Sequence, residues 1–152
     1  MLYPQKLVTL FNLSRMEKFL FLEAILFLAL ARFHKVMPFK RLTRTLGKHM
    51  CESSFQENPS AYGTIKSISS AIHIMSRYTF WESECLVKAI AGMKMLQRRG
   101  IESTLYLGTA KDENGKMIAH AWLRSGSYFV SGAEEMKRFT VVSKFANKKV
   151  IE

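Results

Sequence analysis

The chain predicts an α+β domain, with helices first and then one more helix followed by an antiparallel sheet. Up to Gly100 its apolar residues recur at spacings of three and four, and from Ile101 onward the spacing falls to two. Gly, Pro and Asn stand at the joints between these runs, where chain reversals need them. The 152 residues are one domain's worth of chain with room for a small helical appendage, and 48% apolar content is enough for a core.

Ser14 can cap a helix from about Arg15 to Phe33, with Glu17 completing a capping box. Pro38 opens a short helix through Leu46, with Phe39, Leu42 and Leu46 at helical spacing and Gly47 as its stop. Residues 51 to 58 (CESSFQEN) read as a polar linker. Residues 1–50 then form a helical lead-in packed on the main domain, 51–152. Asn58-Pro59 starts a helix running to about Arg77, with Ala61, Ile65, Ile68, Ile72 and Met75 on one face. Thr79 and Glu82 form a second capping box. The helix behind it buries Leu86, Ala89, Ile90, Met93 and Leu96, places Cys85 in its first turns and stops at Gly100. Gln97, Arg98 and Arg99 suit the negative end of its dipole.

Strands follow at Ile101 to Gly108 and Met117 to Arg124, joined through the Asn114-Gly115 hairpin signal. On the second strand Ile118, His120, Trp122 and Arg124 share one face, and Met117, Ala119, Ala121 and Leu123 the other. Ser125-Gly126 turns the chain into Tyr128 to Val130, and Phe139 to Phe145 supplies a last strand.

Composition excludes several classes. Two cysteines, Cys51 and Cys85, are too few for a disulfide-stapled scaffold, and the zinc, P-loop and dinucleotide signatures are missing, so no metal or cofactor is expected. Lys and Arg total 23 against 12 Asp and Glu, a net charge of +11, which predicts an acidic partner or surface without choosing its kind. The apolar run from Phe19 to Ala31 holds Glu23, ends at Arg32 and is too short for a spanning helix. It reads as a buried or partner-facing helix. The basic residues after it, Lys35, Lys40, Arg41, Arg44 and Lys48, leave peripheral binding to anionic lipid open.

One pair carries chemistry. A nucleophilic cysteine has to act as thiolate, and a helix N-terminus stabilises that anion through its partial positive charge and free N–H groups. Cys85 is placed for this, and the same N–H groups could hold a developing oxyanion. His120, on a strand able to return beside the helix start, can take the thiol proton and later protonate a leaving amine. Taken singly, a cysteine on a helix or a histidine on a strand is more often packing or structure. Cys51 reads as structural or incidental, His34 and His49 as surface residues of basic helical stretches, and His73 as a boundary residue. The order helix-borne Cys, strand, hairpin, strand-borne His is that of papain-like and transglutaminase-like cysteine enzymes.

Trp81-Glu-Ser-Glu-Cys85-Leu86, Lys88-Ala89, Met95-Leu96-Gln-Arg-Arg-Gly100-Ile101, Leu105-Tyr-Leu-Gly108 and Ala119-His120-Ala121-Trp122-Leu123 together resemble the leader peptidase of lasso peptide biosynthesis. That enzyme is a transglutaminase-like cysteine protease, and this chain resembles its split form, without a fused leader-recognition domain. Pro38-Phe39, Leu46-Gly47, Val130-Ser-Gly132 and Phe139-Thr-Val-Val142 extend the resemblance over most of the chain. It implies a cytoplasmic enzyme, with a peripheral place at the inner membrane face as the alternative. The enzyme cuts a precursor peptide between leader and core and supplies the core to a macrolactam cyclase. A small recognition protein presents the leader. Cys85 carries over as nucleophile and His120 as general base and acid. The family's third member is an Asp on the strand after the histidine strand, and Tyr128-Phe-Val-Ser-Gly132 has none. Ser131, Glu134, Glu135 or a backbone oxygen remain candidates to orient His120, while Asp112 and Glu113 belong to the hairpin.

Two competing functions are carried forward. One is acyl transfer by the same pair, distinguished from hydrolysis by a new amide in place of a free carboxylate. The other is a non-catalytic basic adaptor for nucleic acid, which requires aromatics and cations on one exposed face. The sequence shows no such module, and no nucleic-acid partner is expected.

Overall fold

The computed structural model describes residues 12–79 and 84–148. Among the described residues four helices precede the main strands: α1 (Arg15–Val36), α2 (Phe39–Thr45), α3 (Pro59–Ser76) and α4 (Cys85–Arg98). The strands are β1 (Lys48–His49), β2 (Ser103–Lys111), β3 (Met117–Ser125), β4 (Tyr128–Ser131) and β5 (Thr140–Asn147), with a 3₁₀ turn at Met136–Arg138. They form one antiparallel sheet in the order β1-β5-β2-β3-β4. This is the α+β architecture that the change of period predicts.

Local chemistry sets most boundaries. The Ser14 Oγ accepts from the Glu17 N–H (3.3 Å) while the Glu17 carboxylate accepts from the Ser14 N–H (2.9 Å), a complete capping box. Gly47, at φ +103°, ends the α2 segment, where a side chain would collide with the Ala146 carbonyl 2.3 Å away. The N-cap of α4 is Glu84 and not Thr79. The Thr79 hydroxyl donates back to the Ser76 carbonyl (3.1 Å) at the end of α3, and α4 begins only at Cys85. Glu82, the other half of the expected box, lies outside the described residues. The hairpin loop spans residues 112–116, held by the Asp112 carboxylate accepting from the Asn114 and Lys116 N–H groups (2.9 and 2.8 Å). His49, expected on a helix, lies in β1, stacked on Phe145 with centroids 5.0 Å apart.

The core lies between the sheet and its helices. One sheet face, with Leu105, Ala121, Leu123, Val130 and Phe145, is buried with the Val87–Leu96 face of α4. Helix α3 packs on α4 and β4, and α1 lies over α3 and α4 as an outer layer. Its Ala24, Leu28 and Ala31 are at most 1% exposed. Glu23 closes that layer by receiving both arms of the Arg99 guanidinium (2.8 and 2.6 Å). By its position in the sequence Arg99 belongs to the negative end of the α4 dipole. Its head instead crosses to α1.

The other sheet face is covered differently. Arg124, 2% exposed, donates to the Tyr106 hydroxyl (3.0 Å) and to the carbonyls of Ser53 (3.1 Å), Ser54 (3.1 Å) and Gly126 (2.6 Å). Its guanidinium lies 3.6 Å from the Phe55 ring centroid. The Tyr106 hydroxyl in turn donates to Glu52 (2.5 Å), which also pairs with Lys144 (3.2 Å). The segment read as a linker is therefore tied to the sheet. Its backbone carbonyls, which an exposed linker would give to water, are satisfied by one buried cation.

Candidate active site

Cys85 is the first residue of α4, half-buried against the core. A helix starting there leaves its opening N–H groups without partners in the helix itself. Glu84 contributes no side-chain cap, and its carboxylate contacts the Lys35 ammonium from α1. The residue just before Cys85 thus carries an ion pair. Residues 80–83, which lead into it and include Trp81 of the quoted motif, lie outside the described residues.

His120 is held by three contacts. Its ring lies between Trp122 (centroids 5.9 Å) and Phe139 (5.0 Å), stacked at interplanar angles of 25° and 28°. Its Nε2 lies 2.8 Å from the Gly132 carbonyl oxygen. A carbonyl can only accept, so Nε2 carries the proton and donates. In the neutral ring this leaves Nδ1 unprotonated, and the hydrogen bond of His120 among the described residues is the one its Nε2 makes.

Gly132 is fixed in turn. It has φ +76°, and a Cβ there would lie 2.4 Å from the Ala121 oxygen and 2.9 Å from Trp122 Cβ. Only glycine fits so close to β3, and the close approach brings its carbonyl onto the imidazole. Gly108, the register partner of His120, is also confined, with a Cβ position 2.9 Å from both Phe139 and the Trp122 ring. The small residue on β2 makes room for the aromatic stack around the histidine.

The expected orienting side chains do not hold His120. Ser131 Oγ is buried with no hydrogen-bond partner among the described residues. Glu134 lies 3.8 Å from His73 Nε2 and is 74% exposed, and Glu135 is exposed at the start of the 3₁₀ turn. The backbone-oxygen alternative is the one present, on Gly132. Its sequence signal was only the lack of an Asp from Tyr128 to Gly132. That signal is ambiguous, because a backbone acceptor is invisible in residue types.

The lengths of α4 and β3 put Cys85 about level with His120 along the sheet. Gly92 of α4 sits against Leu123 of β3. From Gly92 to Cys85 is about 10 Å of helix at 1.5 Å per residue, which is about three residues of strand at 3.3 Å each. The reversal after α4, where the Ile101 N–H donates to the Leu96 carbonyl (3.0 Å), directs that count from Leu123 toward His120. Strand alternation gives the His120 ring the face shared with Trp122, while Ala121 and Leu123 lie under α4. Among the described residues no hydrogen bond joins Cys85 to His120. Contact between thiol and imidazole would therefore run around the end of the sheet and not through the helix–sheet interface.

Against known protein families, a model described as the Transglutaminase-like superfamily matches residues 30–144. The match takes in the last seven residues of α1, the whole of α4, and the strands bearing His120 and leading to Gly132. No curated protein and no solved structure matches the chain.

Proposed function

The chain belongs to the transglutaminase-like superfamily, and on that premise we propose that it is a cysteine peptidase that removes the leader from a lasso peptide precursor. The observation that carries the chemistry is the anchored imidazole, with Nε2 donating to the Gly132 carbonyl and Nδ1 left unprotonated as a base. Cys85 at the start of α4 supplies the nucleophile. Nδ1 takes the thiol proton, and the thiolate attacks the carbonyl carbon of the leader–core bond. The opening N–H groups of α4 stabilise the oxyanion. Collapse of the adduct breaks the C–N bond, and the imidazolium gives its proton to the departing amine, the new terminus of the core. Water, deprotonated by the same nitrogen, then hydrolyses the thioester to a leader carboxylate and the free thiol.

A carbonyl orients the ring but brings no full negative charge to offset the imidazolium, unlike the carboxylate of the resembled family. In this proposal the leader reaches the site through a small recognition protein, and the cyclase takes the released core. The substrate class rests on the sequence resemblance. The superfamily fits acyl transfer by the same two residues equally well.

The test combines a precursor peptide, its recognition protein and this chain, with products read by mass spectrometry. Cys85→Ala and His120→Ala should each abolish cleavage while the circular dichroism spectrum stays that of the wild type. Cleavage by either variant at the wild-type rate refutes the assignment. A product carrying a new amide in place of the leader carboxylate replaces hydrolysis with transfer.

A further inference from the structure

We propose that α1 is an interfacial helix that docks this protein on an anionic lipid surface, lying in the membrane plane with its outward apolar stripe inserted. The proposal stands apart from the proposed chemistry.

Helix α1 is apolar on two opposite faces. The inner one, Ala24, Leu28 and Ala31, is spent on α3 and α4. The outer one carries Phe19, Leu22, Leu26, Leu30 and Phe33, which are 70%, 63%, 56%, 43% and 72% exposed. These positions follow at spacings of three and four and so form one continuous stripe, about 20 Å long at 1.5 Å per residue. Scattered exposed apolar side chains are ordinary on a protein surface, but a stripe of two phenylalanines and three leucines is a docking face.

Charge chooses the occupant. Of the two carboxylates of α1, Glu23 is bound by Arg99, and Glu17, which stays exposed, accepts from Ser14 in the capping box. Arg15 lies in phase with the stripe, four residues before Phe19. Lys40, Arg41 and Arg44 are exposed on α2, which begins two residues after α1 ends. Phe and Leu flanked by Lys and Arg is the composition of a helix that binds at the headgroup level of anionic membranes. A second copy of the chain would bring another +11 against this surface, which opposes self-association through it. The inner face is held by the domain, and no described helix is long and apolar enough to cross a membrane, so α1 lies along the surface.

The experiment is flotation of the full-length protein with phosphatidylcholine vesicles, with and without phosphatidylglycerol. The protein should float only with the anionic vesicles and be released by salt. Leu26→Glu and Phe33→Glu, both at exposed positions, should abolish flotation with an unchanged circular dichroism spectrum. Arg15→Gln and Arg41→Gln should each weaken partitioning about fivefold, the equivalent of about 1 kcal/mol per basic residue near an anionic surface. The proposal is overturned by failure to bind anionic vesicles, by equal binding to zwitterionic ones, or by full binding of Leu26→Glu. It is also overturned by a dimer in light scattering that Leu26→Glu dissociates, which would assign the stripe to a second copy.

Discussion

Gly132→Ala tests the link between backbone geometry and the imidazole. The added Cβ would start 2.4 Å from the Ala121 oxygen, and ordinary contact there begins near 3.4 Å, so β4 must retreat by about an ångström. The Gly132 carbonyl moves with it. A 2.8 Å contact to Nε2 then lengthens toward about 3.6 Å, which is no longer a hydrogen bond. Alanine at a left-handed φ costs about 1–2 kcal/mol, and the lost hydrogen bond about 1 kcal/mol more. The expected destabilisation is about 2–3 kcal/mol in urea unfolding at unchanged m-value. Nitrogen-15 spectra of the ring provide a second readout. The wild-type neutral imidazole should be the Nε2–H tautomer, and the variant a mixture. If Gly132→Ala unfolds within about 0.5 kcal/mol of wild type and keeps a single tautomer, the carbonyl does not hold His120.

Arg124→Leu removes the one cation that satisfies the Ser53, Ser54 and Gly126 carbonyls, and should cost about 3–5 kcal/mol, with protease cutting first in the 51–57 segment. A loss under about 1 kcal/mol would mean that water replaces the guanidinium. Leu28→Ala empties a fully buried site between α1 and the helices beneath it, so a midpoint shift equivalent to about 2–5 kcal/mol is expected in denaturant titration. The Arg99 guanidinium holds the Glu23 carboxyl below the usual carboxylate range through its hydrogen bonds. A carboxyl whose pKa is lower when folded stabilises the fold above its unfolded pKa, and that contribution fades as pH falls through the folded value. The gap between wild type and Glu23→Gln, about 1 kcal/mol at neutral pH for this partly screened pair, should therefore close on acidification below about pH 4. A gap that persists in acid would show that Glu23 acts by packing.

Period and punctuation determined much of this protein before any coordinates. The Ser14–Glu17 box starts α1 because two side chains within one turn satisfy two orphan N–H groups, an interaction local enough to read from four residues. Alternation on β3 determined that His120, Trp122 and Arg124 share a face, since a strand has only two. The placement of Cys85 at a helix start followed from the stripe behind it, with Glu84 in place of Thr79 as the N-cap. Thr79 found a nearer acceptor at the end of α3, and capping propensity alone cannot choose between two helix ends six residues of chain can serve.

Tertiary structure decided what depends on groups without a residue-type signature or on partners far along the chain. The acceptor for His120 is a main-chain carbonyl, present at every position and useful only where Gly132 lets β4 approach β3 closely. Arg99 and Glu23 are 76 residues apart, and Arg124 reaches back 71 residues to Ser53, so no local window contains either pair. The two faces of α1 divide for the same reason. The sequence shows an apolar run from Phe19 to Ala31, and only the packing of α3 and α4 decides which of its side chains are buried and which stay exposed.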